Sequence, residues 1–114
     1  MGDIMTLVSR GIALTLQTAA TTGNGVVATI RPGTKDITIT VTGAGTISGG
    51  TVSIEEASSE SYAGTWSIME DFPATDLTGG AQKVLHFKGR YNAIRCRLAS
   101  IAGGGTVSSE LMAD

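Results

Sequence analysis

Cys96 and His86 are the single cysteine and the single histidine of the chain, and together they could make a nucleophile and its base. Thiolate chemistry needs the imidazole within hydrogen-bond reach. If residues 83–88 and 93–99 form a hairpin around Gly89, the faces of their side chains can be compared. In it Cys96 shares the phase of Ile94 and Leu98 and points inward, while His86 shares the phase of Val84 and Lys88, opposite Leu85 and Phe87. That predicts opposite sheet faces, with Cys96 a small buried hydrophobe and His86 a half-exposed strand residue. Paired carboxylates fail similarly. Glu55 and Glu56, and likewise Glu70 and Asp71, are sequence neighbours, and extended backbone sends neighbours to opposite sides. Structural zinc needs about four Cys or His ligands, more than the chain has. Residues 55–60 and 70–76 hold Glu55, Glu56, Glu60, Glu70, Asp71 and Asp76. They lack the Asp-x-Asp-x-Asp-Gly alternation of a calcium loop and read as a solvated acidic rim. Residues 43–49 do not spell Gly-x-Gly-x-x-Gly and lead into a strand, so they are a Gly-rich turn and not a phosphate cradle. No catalytic, cofactor-binding or metal residue is assigned, and a protein that is not an enzyme is expected.

The charge pattern is more informative. Lys83, Lys88, Arg90, Arg95 and Arg97 fall within one short segment, directly after most of the acidic residues. Arg95 and Arg97 share a strand face turned away from the core. A basic face near Phe87 and Tyr91 would suit a nucleic-acid strand, but a net charge of −2 and so few aromatics argue against it. Segregated charge fits instead an acidic surface, within the chain or on a neighbouring copy. Trp66, the sole tryptophan, reads as the large plug of a small-residue core; its other reading is a stacking platform, with Tyr62 or Tyr91, for a sugar ring.

The elements that must position these residues are strands. In Asp36-Ile37-Thr38-Ile39-Thr40-Val41-Thr42 the apolar residues alternate with threonines, the pattern of a half-buried strand. Similar runs begin near Ile12, Val26, Thr51, Thr65, Lys83, Ala93 and Thr106, separated by Gly-rich turns. They predict an all-β fold, an antiparallel β-sandwich or jelly roll of about eight short strands. Two Gly-rich stretches, from Gly43 and from Gly103, echo each other and read as turns leading into strands. The chain of 114 residues is one domain, residues 11–114, with an N-terminal arm over residues 1–10. In the arm Ile4, Leu7 and Val8 would line a helical turn or an extended segment docked elsewhere. With 41% hydrophobic residues the chain is not a disordered polyampholyte, and no apolar run is long enough to span a membrane as a helix. Asp3 stands where a signal peptide would be basic, so a protein made in the cytoplasm is expected. A lone cysteine makes no intrachain disulfide.

Three segments carry a resemblance. Thr51-Val52-Ser53-Ile54-Glu55-Glu56-Ala57 followed by Gly64-Thr65-Trp66-Ser67-Ile68 resembles a strand, acidic loop and Trp strand in small β-sandwich proteins of tailed bacteriophage virions. Tyr91-Asn92-Ala93-Ile94-Arg95-Cys96-Arg97-Leu98, followed by Thr106-Val107-Ser108, is similar to their closing strands, and residues 16–25 to their first turn. The chain departs from the pattern at residues 58–63, a longer acidic loop where an Asp-Gly turn is common. The resemblance implies a non-enzymatic structural virion protein. Its foremost form is a capsid decoration (cement) protein that binds the major capsid protein and copies of itself, as a dimer or trimer, without nucleic acid or membrane. A tail or fibre component is the alternative within the virion, and a carbohydrate-binding module the alternative outside it.

Overall fold

The computed structural model describes residues 5–7, 13–30, 33–57 and 65–113. Strands β1 (Met5–Leu7), β2 (Leu14–Ala20), β3 (Val27–Thr29), β4 (Asp36–Ala44), β5 (Gly49–Ala57), β6 (Trp66–Pro73), β7 (Gln82–Lys88), β8 (Ala93–Ala102) and β9 (Thr106–Ala113) run through them. Each of the eight alternating runs becomes a strand. In β4 the cause is plain: Ile37, Ile39 and Val41 are buried, and the threonines between them take the wetter face.

The strands form two sheets, one ordered β1-β3-β8-β5-β6 and one ordered β2-β9-β4-β7. Apart from β1, pairing is nested. The outermost strands β2 and β9 pair, then β3 with β8, β4 with β7, and β5 with β6, all antiparallel. Successive pairs alternate between the sheets. This is the winding of a jelly roll, and the fold is an all-β sandwich.

One premise is corrected, and one open choice is decided for the extended form. Strands β7 and β8 are not a hairpin: β7 lies against β4, and β8 lies in the other sheet between β3 and β5. The connection between them crosses from one sheet to the other, held by bonds at its two ends. Tyr91 Oη donates to the Lys88 carbonyl at 3.1 Å, and the Ile30 amide donates to the Asn92 carbonyl at 2.9 Å. In the arm, Met5–Leu7 is a strand parallel to β3, not a helical turn, so one edge of the antiparallel sandwich is parallel. The rest of the arm lies outside the described residues.

The core is aliphatic, as the composition requires. Leu16, Ile39, Val41, Val107 and Leu111 face Val52, Ile54, Ile94, Cys96 and Leu98, and Phe72 joins them from β6. Full burial of each large side chain stabilises the fold by about 1.5–3 kcal/mol. Two short 3₁₀ turns over Ala74–Gly80 link the sheets, and Leu77 from them seals one end of the core. Residue 43 must be glycine there, because a Cβ would collide with the Leu77 carbonyl.

One polar side chain binds the two sheets together. Gln17, on β2, is buried, and its amide donates to the carbonyls of Cys96 (2.8 Å) and Gly23 (3.1 Å). Strand β3 pairs with β8 only at Ala93 and Ile94, and the Gly23 backbone takes up Leu98. The Cys96 carbonyl falls in the gap, and Gln17 supplies its donor.

Candidate functional site

The outer face of the five-stranded sheet carries the chain's most developed polar constellation. Antiparallel register places residues of β8, β5 and β6 in rows: Ala93, Ala57 and Trp66; Arg95, Glu55 and Ile68; Arg97, Ser53 and Asp71. Residues directly opposite share a face, so side chains in a row touch or nearly touch. Arg95 Nε donates to Glu55 Oε1 at 2.7 Å, with both side chains almost entirely covered. The Arg95 guanidinium lies 4.1 Å from the centre of the Trp66 ring. Trp66 in turn packs on Val27, Ala57 and Ala93, a second small apolar cluster outside the main core. The aromatic ring and the alkyl stem of arginine shield the ion pair from water, which strengthens it and makes either partner costly alone.

This geometry decides several expectations. Arg95 and Arg97 do share a face away from the core. Glu55 is not part of a solvated rim: it is 5% exposed, because Arg95 stands directly across from it. Glu56, Glu70, Asp71 and Asp76 are half-buried or exposed, and Glu60 lies outside the described residues. Trp66 is the plug of an apolar cluster, with one ring face taken by a cation, rather than an open platform. Tyr91 is also engaged, edge-on to Phe87 at 6.5 Å between centroids. Tyr62 lies outside the described residues. The basic cluster of the sequence is divided by the fold, with Lys83 and Lys88 on β7 and Arg95 and Arg97 on β8 of the other sheet. Lys83 meets Asp76 at 3.1 Å.

Cys96 and His86 belong to different sheets. His86 is exposed on β7, with Nδ1 at 3.2 Å from Thr38 Oγ1. Cys96 is wholly buried, and burial pushes its thiol up to about 11; the nearby Ser109 hydroxyl pulls the other way and the Glu55 carboxylate adds to the rise. Among the described residues, no three metal-ligating side chains converge. Beside Arg95 an open groove of about 510 Å³ runs past Thr22, Asn24, Arg97 and Ser100. Arg97 is exposed there and forms no ion pair among the described residues.

Sequence reasoning missed Gln17 and the burial of Glu55. Phase alone put Glu55 with Ser53 and Arg95 with Arg97 on outward faces; the burial of Glu55 follows only from the pairing of β5 with β8.

The opposite face of the molecule differs. On the outer side of the four-stranded sheet, Thr38 lies between His86 and Met112, and Thr40 between Val84 and Glu110. Val84 is 46% and Met112 47% exposed. The middle of this face is apolar and hydroxylic, with Glu110 the only charge there among the described residues. Compared with protein-family models, curated proteins and solved structures, the chain matches none.

Proposed function

We propose that the chain is a non-enzymatic structural protein of a phage virion, a capsid decoration protein that binds the outer surface of the head and stabilises the joints between capsid subunits. The observation that carries this reading is the outer face of the four-stranded sheet, where exposed Val84 and Met112 flank Thr38 and Thr40 with little charge between them. A surface of this kind loses little on desolvation and gains on burial against another protein wall. The jelly roll supports the reading at the level of architecture, since viral capsid domains use it; that is an analogy of fold. Lectin domains use it too. The capped ring of Trp66 and the engaged ring of Tyr91 weigh against the carbohydrate-binding alternative. On this reading the partners are the major capsid protein and copies of the chain, as a dimer or trimer. Binding energy present only in the assembled shell is what stabilises the shell.

The test is co-sedimentation with empty shells of the major capsid protein encoded in the same genome. Saturable binding at one copy per capsid subunit, or a simple fraction of that, with a raised shell melting temperature, is expected. Met112→Asp, in the middle of the proposed face, should weaken binding at least tenfold while leaving the protein folded. No binding, or about a dozen copies per particle, the stoichiometry of a symmetric appendage, would place the protein in the tail or fibre.

A further inference from the structure

The five-stranded sheet is interrupted at one place. β3 pairs with β8 only at Ala93 and Ile94, and the chain meets β8 again at Gly23, whose amide and carbonyl bond Leu98. Between these points β8 has no strand on that side, and the Gln17 amide, reaching from the other sheet, closes the floor of the gap. The groove of about 510 Å³ opens at this gap, with Asn24 and Thr22 on one side and Arg95 and Arg97 on the other. A bulge shapes its end. The register of β5 with β8 slips between Gly49 and Thr51, and Ser100 is exposed where alternation with Leu98 would bury it. Ser100 holds a φ of 54°, a strained value for a residue with a Cβ, and strain of this kind gathers at ligand-binding sites. The charges are unequal too. No carboxylate lines the groove. Arg95 is neutralised by Glu55, Asp71 stands two strands away from Arg97, and Arg97 has no ion pair among the described residues.

We propose that this groove binds a small hydroxylated oxyanion, a sugar acid or a sugar phosphate, with Arg97 on the anionic group and Thr22, Asn24 and Ser100 on the hydroxyls. One uncompensated cation suits a ligand with one anionic group, and the guanidinium fork fits the oxygens of a carboxylate or a phosphate. The amide and hydroxyls beside it both donate and accept, as bonding to hydroxyls requires. A nucleic-acid strand fits poorly, because no aromatic ring lines the groove to take a base. A peptide fits poorly as well, because only Leu98 and Ala99 offer apolar surface to a side chain, and Leu98 is buried. Recognition here is by charge and hydrogen bonds, without the stacked ring that Trp66 would have supplied. The groove and the Val84 and Met112 surface belong to different sheets, so the proposal does not rest on the virion reading.

Titration of the intact chain with glucuronate, glucose-6-phosphate and glucose, followed by the amide NMR signals, tests this without any capsid, so its failure and that of the virion reading are separate results. Glucuronate, glucose-6-phosphate or both should shift the amides of residues 22–24 and 95–100 saturably, with a Kd on the order of 1 mM, and the tighter of the two identifies the anionic group. Glucose should bind at least tenfold more weakly. Arg97→Gln, a change at an exposed position that leaves the Arg95 and Glu55 pair intact, should raise the Kd at least tenfold. Ser100→Gly should weaken binding while raising the thermal midpoint, since glycine takes a φ of 54° without strain. A serine with only a structural role would move the midpoint and leave the Kd alone. No saturation by about 10 mM, ten times the expected Kd, would overturn the proposal. So would equal shifts with sodium sulfate, tighter binding of a glutamate-containing tripeptide, a Kd unchanged in either variant, or shifts centred elsewhere.

Discussion

Arg95 and Glu55 show what one well-placed pair does at the scale of single residues. Neither has enough contact with water to stand alone, so removing one partner strands the other. Arg95→Met should therefore cost about 3–5 kcal/mol, whereas Arg95→Met combined with Glu55→Gln should cost much less than the sum of the two single changes. Urea denaturation of the four proteins measures this; a cost below about 1 kcal/mol for Arg95→Met would mean that water reaches Glu55 after all. Cys96 makes a second residue-scale prediction. Its folded-state thiol titrates near 11 against an ordinary value of 9.0. Because the folded value is raised, the stability held in the neutral thiol is complete below pH 9 and is lost as pH rises through 11. Cys96→Ala should flatten that part of the stability profile, and the native thiol should react with a disulfide reagent only as fast as the chain unfolds.

At the scale of elements, alternation made the strands legible, and the pairing of strands was not. Period two in residues 36–42 states which face of β4 is wet, whatever its neighbours. It is silent on whether β8 follows β7 as a hairpin partner or crosses to the other sheet. That choice is made by one local bond, from Tyr91 to Lys88, and by one that extends the β3–β8 ladder, from Ile30 to Asn92. The outward phase of Arg95 and Arg97 was equally legible, but the covering of Glu55 was not, because it needs β5 and β8 to be known as neighbours. The Ala74–Gly80 turns carry no periodic signal and depend on Leu77 finding the open end of the core. Gln17 belongs to this scale too, as a side chain standing in for a missing length of strand. Gln17→Leu would leave the Cys96 carbonyl without the amide donor and the Gly23 carbonyl with the Leu98 amide alone, and should cost about 1–3 kcal/mol, read from the shift in thermal midpoint. Gly25→Ala should also destabilise, since residue 25 has a φ of +66° and a Cβ there would meet the Leu16 carbonyl and the Gln17 side chain.

For the whole molecule, nested pairing makes nearly every contact distant in sequence. Among the described strands only β5 and β6 are neighbours in both sequence and sheet. Such topologies fold in milliseconds to seconds. Trp66, packed on Val27, Ala57 and Ala93 beneath Arg95, is a built-in reporter, and stopped-flow fluorescence should show its signal forming on that timescale. A submillisecond phase carrying the whole change would mean that the Trp66 cluster forms locally, ahead of the sheet. The same nesting sets how the molecule would bear tension. Leu14, where β2 begins, lies directly against Leu111, near the end of β9. A pull applied to those two points would open the ladder like a zipper, one rung after another, and never load the rungs together. A fold built this way resists force well across its sheets and poorly along its own chain, so a load on it is best borne through a face or an edge.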